Sequence, residues 1–119
     1  MNAPYRVILS EKTTSLLRSL TSKTGLSANI LSRFAMLLSF EDLAEPAIDS
    51  GKAGLTINRA TLFGELEPFL MSAFALRSSM TGNTVNPRDL GNHIARGVNY
   101  LNVRIHSMTD LLGFVNDLS

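Results

Sequence analysis

The sequence predicts a mainly α-helical protein: a short N-terminal strand followed by about five helices, in one domain over residues 1–119. Two observations carry that reading. Apolar residues recur at helical intervals through most of the chain, most clearly at Leu90, Ile94, Val98, Leu101 and Ile105. Only one short stretch, Tyr5-Arg6-Val7-Ile8-Leu9, is dense in β-formers, with Pro4 before it and Ser10 after it.

Each element follows from local chemistry. Tyr5 to Leu9 reads as the strand. Ser10 is placed to cap a helix running to Lys23, because its hydroxyl accepts from early N–H groups that lack intrahelical partners. Leu16, Leu17 and Leu20 are that helix's buried stripe, and Gly25 supplies its left-handed end. Ser27 caps a second helix from about Ala28 to Asp42, with Ile30, Leu31, Phe34, Leu37 and Leu38 at helical spacing. Met36 and Phe40 widen its apolar face, an excess that implies burial against another subunit.

Residues 43–57 read as a connector, punctuated by Pro46, Gly51 and Gly54. An apolar stretch from Leu66 to Met80 reads as a helix, with Pro68 in its first turn, where a missing N–H does no harm. Thr81 to Thr84 reads as a loop. Asn86-Pro87-Arg88-Asp89 opens the strongly periodic helix, with Arg88, Asn92, Arg96 and Asn99 on its polar side. Ser107 and Asp110 resemble a capping box starting a last short helix with Leu111, Leu112, Phe114 and Val115.

Composition excludes several classes. The 119 residues are 45% hydrophobic and 18% charged, too apolar for a disordered chain. There is no cysteine, so thiol catalysis, cysteine-ligated zinc and disulfide frameworks are absent. No apolar run approaches the roughly 20 residues of a membrane helix, and no secretory signal opens the chain. The expectation is a cytoplasmic protein that contacts no membrane.

The formal net charge is +1. It is segregated: residues 1–40 carry Arg6, Lys12, Arg18, Lys23 and Arg33 against Glu11 alone, and residues 41–50 carry Glu41, Asp42, Glu45 and Asp49. Segregated charge can steer a polyanion when the sum is near zero. The sequence leaves open whether the acidic cluster folds over the basic segment and masks it.

Signs of catalysis are lacking. Gly51-Lys52-Ala53 fails as a phosphate loop, because Pro46 stands where Gly is required and Ala53 where Ser or Thr is. His93 and His106 lack metal-ligand spacing, so both read as structural or surface residues. Glu65 and Glu67 read as a solvated pair near a turn. No cofactor and no metal are expected.

The positive signal is the order strand, helix, helix over residues 1–42. It is the ribbon–helix–helix plan, in which two chains pair strands and each second helix points its N-terminus at a phosphate. Ser27, Ala28 and Asn29 would supply that contact. Lys12 and Lys23 lie along nearly one side of the first helix, with Ser15, Ser19 and Ser22 near them. If Tyr5, Val7 and Leu9 point inward, only Arg6 and Ile8 face out of the strand, too little for reading bases. Contact with the DNA backbone is favoured, through Arg6, Lys12, Arg18, Lys23, Ser27, Asn29 and Arg33.

Three segments carry a resemblance: Thr24-Gly25-Leu26-Ser27-Ala28-Asn29-Ile30-Leu31-Ser32-Arg33, Asn58-Arg59-Ala60-Thr61-Leu62-Phe63-Gly64-Glu65, and His93-Ile94-Ala95-Arg96-Gly97-Val98 with Leu101-Asn102-Val103-Arg104. In this order the chain resembles the DndE family of bacterial DNA sulfur modification (phosphorothioation) over nearly its whole length. The resemblance implies a non-catalytic partner of the proteins that mobilise sulfur and hydrolyse ATP. It also implies a homotetramer that binds double-stranded DNA, nicked duplex above all, without sequence readout. The chain has only three lysines, so such a surface would draw on Arg6, Arg18 and Arg33. Two other readings remain open: a sequence-specific ribbon–helix–helix repressor or antitoxin, and a protein-only adaptor working through Met36, Phe40, Phe69 and Phe74.

Overall fold

In a computed structural model, residues 6–82 and 89–118 are described, with side-chain surroundings known as far as residue 106. Pro4, Tyr5 and the Asn86-Pro87 helix start lie outside the described residues.

Strand β1 spans Arg6–Ser10, with Val7 and Leu9 buried and Arg6 and Ile8 exposed, the alternation expected of a half-buried strand. Helix α1 follows at Glu11–Thr24. The Ser10 hydroxyl caps it by accepting from Thr13 N–H at 3.1 Å, and the chain turns off through Gly25. Helix α2 (Ala28–Glu41) is capped by Ser27, whose hydroxyl accepts from Ile30 N–H. These elements match the sequence expectation to within a residue or two.

The connector does not. Ala53–Asn58 is a second strand, β2, antiparallel to β1, with Val7 opposite Ile57 and Ile8 opposite Thr56. Gly51 and Gly54 are the turn signals that made the segment read as a loop, and its alternation reduces to one inward residue, Ile57. The partner of β1 is therefore a strand of the same chain. A five-residue helix α3 (Arg59–Phe63), a 3-10 turn (Gly64–Leu66) and helix α4 (Glu67–Thr81) come next, with Pro68 in the first turn of α4.

The last element, α5, is a single helix of 30 residues, Asp89–Leu118. The helix start expected at Ser107 is absent, because the backbone runs through that position without a break. Among the described residues, four long helices and one two-stranded sheet thus share a core of Val7, Leu9, Leu17, Leu20, Leu31, Ile57, Phe63, Leu70, Ile94 and Val98. Helices α2 and α5 make the principal contact. Gly97 makes it possible: a Cβ there would lie 1.8 Å from the Ala35 carbonyl oxygen.

Candidate nucleic-acid interface

The exposed face of α1 is built by helical geometry. Thr13, Thr14, Leu17 and Leu20 are buried, so at about 100° per residue the opposite side carries Glu11, Lys12, Ser15, Arg18, Ser19, Ser22 and Lys23. Lys12 and Lys23 border that face on one side, roughly 16 Å apart along the axis, and Arg18 borders it on the other. The serines lie between them. Arg6 on β1, Lys12, Arg18 and Lys23 are all exposed.

The other three expected residues differ. Ser27 is exposed, but its hydroxyl is engaged in capping α2, and Asn29 is half-buried in the first turn. Arg33 is turned inward: its Nε donates to the Leu62 carbonyl and one terminal nitrogen to the Thr61 carbonyl at 3.3 Å. These are C-terminal carbonyls of α3, where a cation complements the helix dipole. Gly64, at φ +53°, ends α3 beside that guanidinium, and a Cβ would come within 3.1 Å of it. The segment Asn58–Glu65 is accordingly a structural device: Asn58 caps α3, Arg59 pairs with Glu67 at 2.8 Å, and Leu62 and Phe63 are buried.

The acidic residues of the connector lie against other partners than the α1 cations. Asp49 accepts from Ser10 N–H and hydroxyl and from the Thr13 hydroxyl, at 2.7–2.9 Å, and so finishes the cap of α1. Glu11 pairs loosely with Lys52 at 3.7 Å. Asp42 and Glu45 face two arginines that pattern reasoning missed. Arg77, buried on α4, reaches Glu45 and the carbonyls of Asp42 and Ala44. Arg96, placed by periodicity on the polar side of α5, instead holds the carbonyls of Ser39, Asp42 and Ala44 and the Ser39 hydroxyl, at 2.7–3.1 Å. Both arginines thus close the C-terminus of α2. The one available signal was Arg77 itself, a lone charge inside an apolar run.

At the centre of this clamp His93 is buried, with its Nδ1 2.8 Å from the Ser39 hydroxyl and its ring edge-on to Phe40. Burial, reinforced by the charges of Arg77 and Arg96, lowers the His93 pKa to about 4, so the ring is neutral at physiological pH. Arg96 donates to the Ser39 oxygen, leaving the hydroxyl proton for His93. Serine and histidine are hydrogen-bonded here, but both are shut away from solvent, which no acyl or phosphoryl substrate could reach. The Ala44 N–H and the Tyr100 hydroxyl donate to Asp42 and lower its pKa; the same carboxylate raises that of Tyr100. Met36, Phe40 and Phe74 are buried within the chain, which corrects the expectation that they form an adaptor surface; only Phe69 of that set is exposed. Among the described residues, no helix is long and apolar enough to cross a membrane, and no group of three His, Asp or Glu side chains could hold a metal.

The profile of a family described as "DNA sulphur modification protein DndE" matches residues 6–109. The chain belongs to the DndE family. Its fold is similar to the crystal structure of DndE from Escherichia coli B7A, described as involved in DNA phosphorothioation modification. The TM-score is 0.63 at 25% identity, over 84% of this chain and 98% of that one. No curated protein matches the chain. For a DndE-family chain, the three resembling segments now have physical roles: the α2 cap, the seat of Arg33, and the face of α5 that carries His93 and Arg96.

Proposed function

We propose that this chain is a non-catalytic, DNA-backbone-binding component of the phosphorothioation machinery, acting as a homotetramer beside the proteins that carry out the sulfur chemistry. The observation that carries this reading is the exposed α1 face, where Lys12, Arg18 and Lys23 stand among serines, with Arg6 exposed on β1 and with Asp42 and Glu45 held by Arg96 and Arg77 instead. Cations among small hydroxyls suit phosphate oxygens, which a backbone-reading protein contacts without regard to sequence. The outward positions of β1, Arg6 and Ile8, offer little for base edges, and β1 is paired with β2. Nicked duplex is the favoured substrate, since a nick lets the backbone bend onto a small protein surface at lower cost. Ser27 and Asn29 add the α2 N-terminus as a further phosphate contact. Arg33 contributes its charge while its guanidinium stays on α3.

Binding titrations on nicked, intact and single-stranded DNA across a salt series test the reading. Nicked duplex should bind most tightly, with a steep loss as salt rises and no preferred sequence. Lys12→Gln with Lys23→Gln should weaken all sequences about equally and reduce the salt slope by about two. Salt-insensitive binding, or a sequence motif selected from random DNA, would overturn the proposal.

A further inference from the structure

Between the N-terminal turn of α1, connector residues 47–50 and the middle of α5, the surface folds into a pocket of about 450 Å³. That size falls within the roughly 300–1,000 Å³ of small-molecule sites. Each of its three walls brings a different chemistry. The α1 wall supplies Lys12, which is exposed and makes no hydrogen bond or ion pair among the described residues. The connector supplies the Ser50 hydroxyl and the side chain of Ile48, 79% of which is in water. The α5 wall supplies Asn99 and Tyr100. Asn99 donates its amide nitrogen to the Ala95 carbonyl at 2.9 Å, which leaves Oδ1 as an acceptor. Tyr100 is tethered through its hydroxyl to Asp42 at 2.9 Å.

The other charged groups of the pocket are already committed. Arg96 spends its donors on Ser39, Asp42 and Ala44 and lends the pocket its charge alone. Asp49 turns both carboxylate oxygens to Ser10 and Thr13. A free ammonium beside a hydroxyl suits a phosphate. An aromatic ring, an aliphatic side chain and an amide acceptor suit a planar heterocycle that carries N–H groups. A nucleotide unites the two. Lys12 also borders the exposed α1 face, so a strand lying on that face brings its phosphates to the pocket. A paired base is held in the duplex stack, whereas a base beside a strand break leaves it at lower cost.

We infer that this pocket takes one unpaired nucleotide at a strand break, its phosphate on Lys12 and Ser50, its base against Tyr100 and Ile48 and accepted by Asn99. The inference rests on the DNA-backbone reading above, and adds to ease of bending a second reason for favouring nicked duplex. Stacking tolerates any base, and every base has an N–H on its Watson–Crick edge for Asn99, so the contact stays independent of sequence.

Affinities of the full chain for nicked and intact duplex of one sequence, at one salt concentration, test it. Tyr100→Ala should weaken nicked duplex about tenfold and leave intact duplex nearly unchanged. Tyr100→Phe, which keeps the ring and loses the bond to Asp42, should retain the preference for the nick. Ser50→Glu, at an exposed connector position, should abolish that preference by setting a carboxylate beside Lys12. An abasic residue is placed on each side of the nick in turn. On one side it should cost the unaltered chain about tenfold and the Tyr100→Ala chain nothing. An unchanged nicked-to-intact ratio in either Tyr100→Ala or Ser50→Glu overturns the pocket and leaves the backbone reading standing. An unaltered chain that binds neither duplex overturns both. Free deoxyadenosine 5′-monophosphate should bind only at millimolar concentration, since one base and one phosphate offer few contacts. Micromolar binding that Ser50→Glu abolishes while the nick preference persists would assign the pocket to a free nucleotide, and would overturn the inference.

Discussion

His93 shows how one side chain can set the acid stability of this fold. Its pKa is about 4 in the native protein, against about 6.5 in an unfolded chain. Between those values the unfolded chain binds a proton that the native state refuses, so stability rises with pH across the window. The contribution is constant above pH 6.5 and is lost as pH falls to 4, by roughly 3 kcal/mol at the limit. Urea midpoints measured from pH 7 to pH 4 should fall accordingly, and His93→Gln should flatten that part of the decline. The sequence made His93 legible only as a residue without ligand spacing. Its partners Ser39 and Arg96 lie 54 and three positions away, on two helices whose crossing no spacing rule supplies. Arg33 was hidden for the same reason: a cation near a helix start reads as a phosphate contact, and only the tertiary fold brings the end of α3 to it.

At the scale of elements, the α2–α5 crossing organises the molecule, and Gly97 is its contact point. A Cβ there would lie 1.8 Å from the Ala35 oxygen and 2.5 Å from the Ala35 Cα, and both atoms are backbone, so no rotamer change can relieve the clash. Gly97→Ala should therefore force the helices apart and destabilise by about 3 kcal/mol or more, despite alanine's better helix propensity. Thermal unfolding of the variant measures it. Helices α1 and α2 were readable because cap, stripe and stop signal all agreed at Ser10, Ser27 and Gly25. Strand β2 was not, because its neighbouring glycines serve the turn and its pairing with β1 is non-local. The false break at Ser107 arose because a serine followed by a carboxylate at capping-box spacing fits a helix start and a helix interior equally well.

For the whole molecule, the question is what the acidic connector does with a charge of four carboxylates beside a basic segment. If Glu41, Asp42 and Glu45 masked the DNA-facing cations, neutralising them would tighten binding. The geometry assigns two of them elsewhere: Asp42 to Arg96 at 3.5 Å and to Tyr100, and Glu45 to buried Arg77 at 3.3 Å. Removing the partner of a buried cation leaves that cation uncompensated, which costs far more than a surface pair gains. Asp42 and Glu45 are themselves substantially exposed, so solvent offsets part of that cost. Asp42→Asn with Glu45→Gln should therefore lower the unfolding midpoint. On DNA, the two lost charges act only through the long-range field, which salt screens beyond about 8 Å at physiological ionic strength. Affinity at that ionic strength should change less than twofold, with any gain confined to low salt. Tightening by tenfold or more without loss of stability would mean that the connector shields the α1 face after all. The near-neutral total of this chain is, on this reading, the sum of two separate structures: a basic helix face turned to solvent, and an acidic strap spent on closing α2 and capping α1.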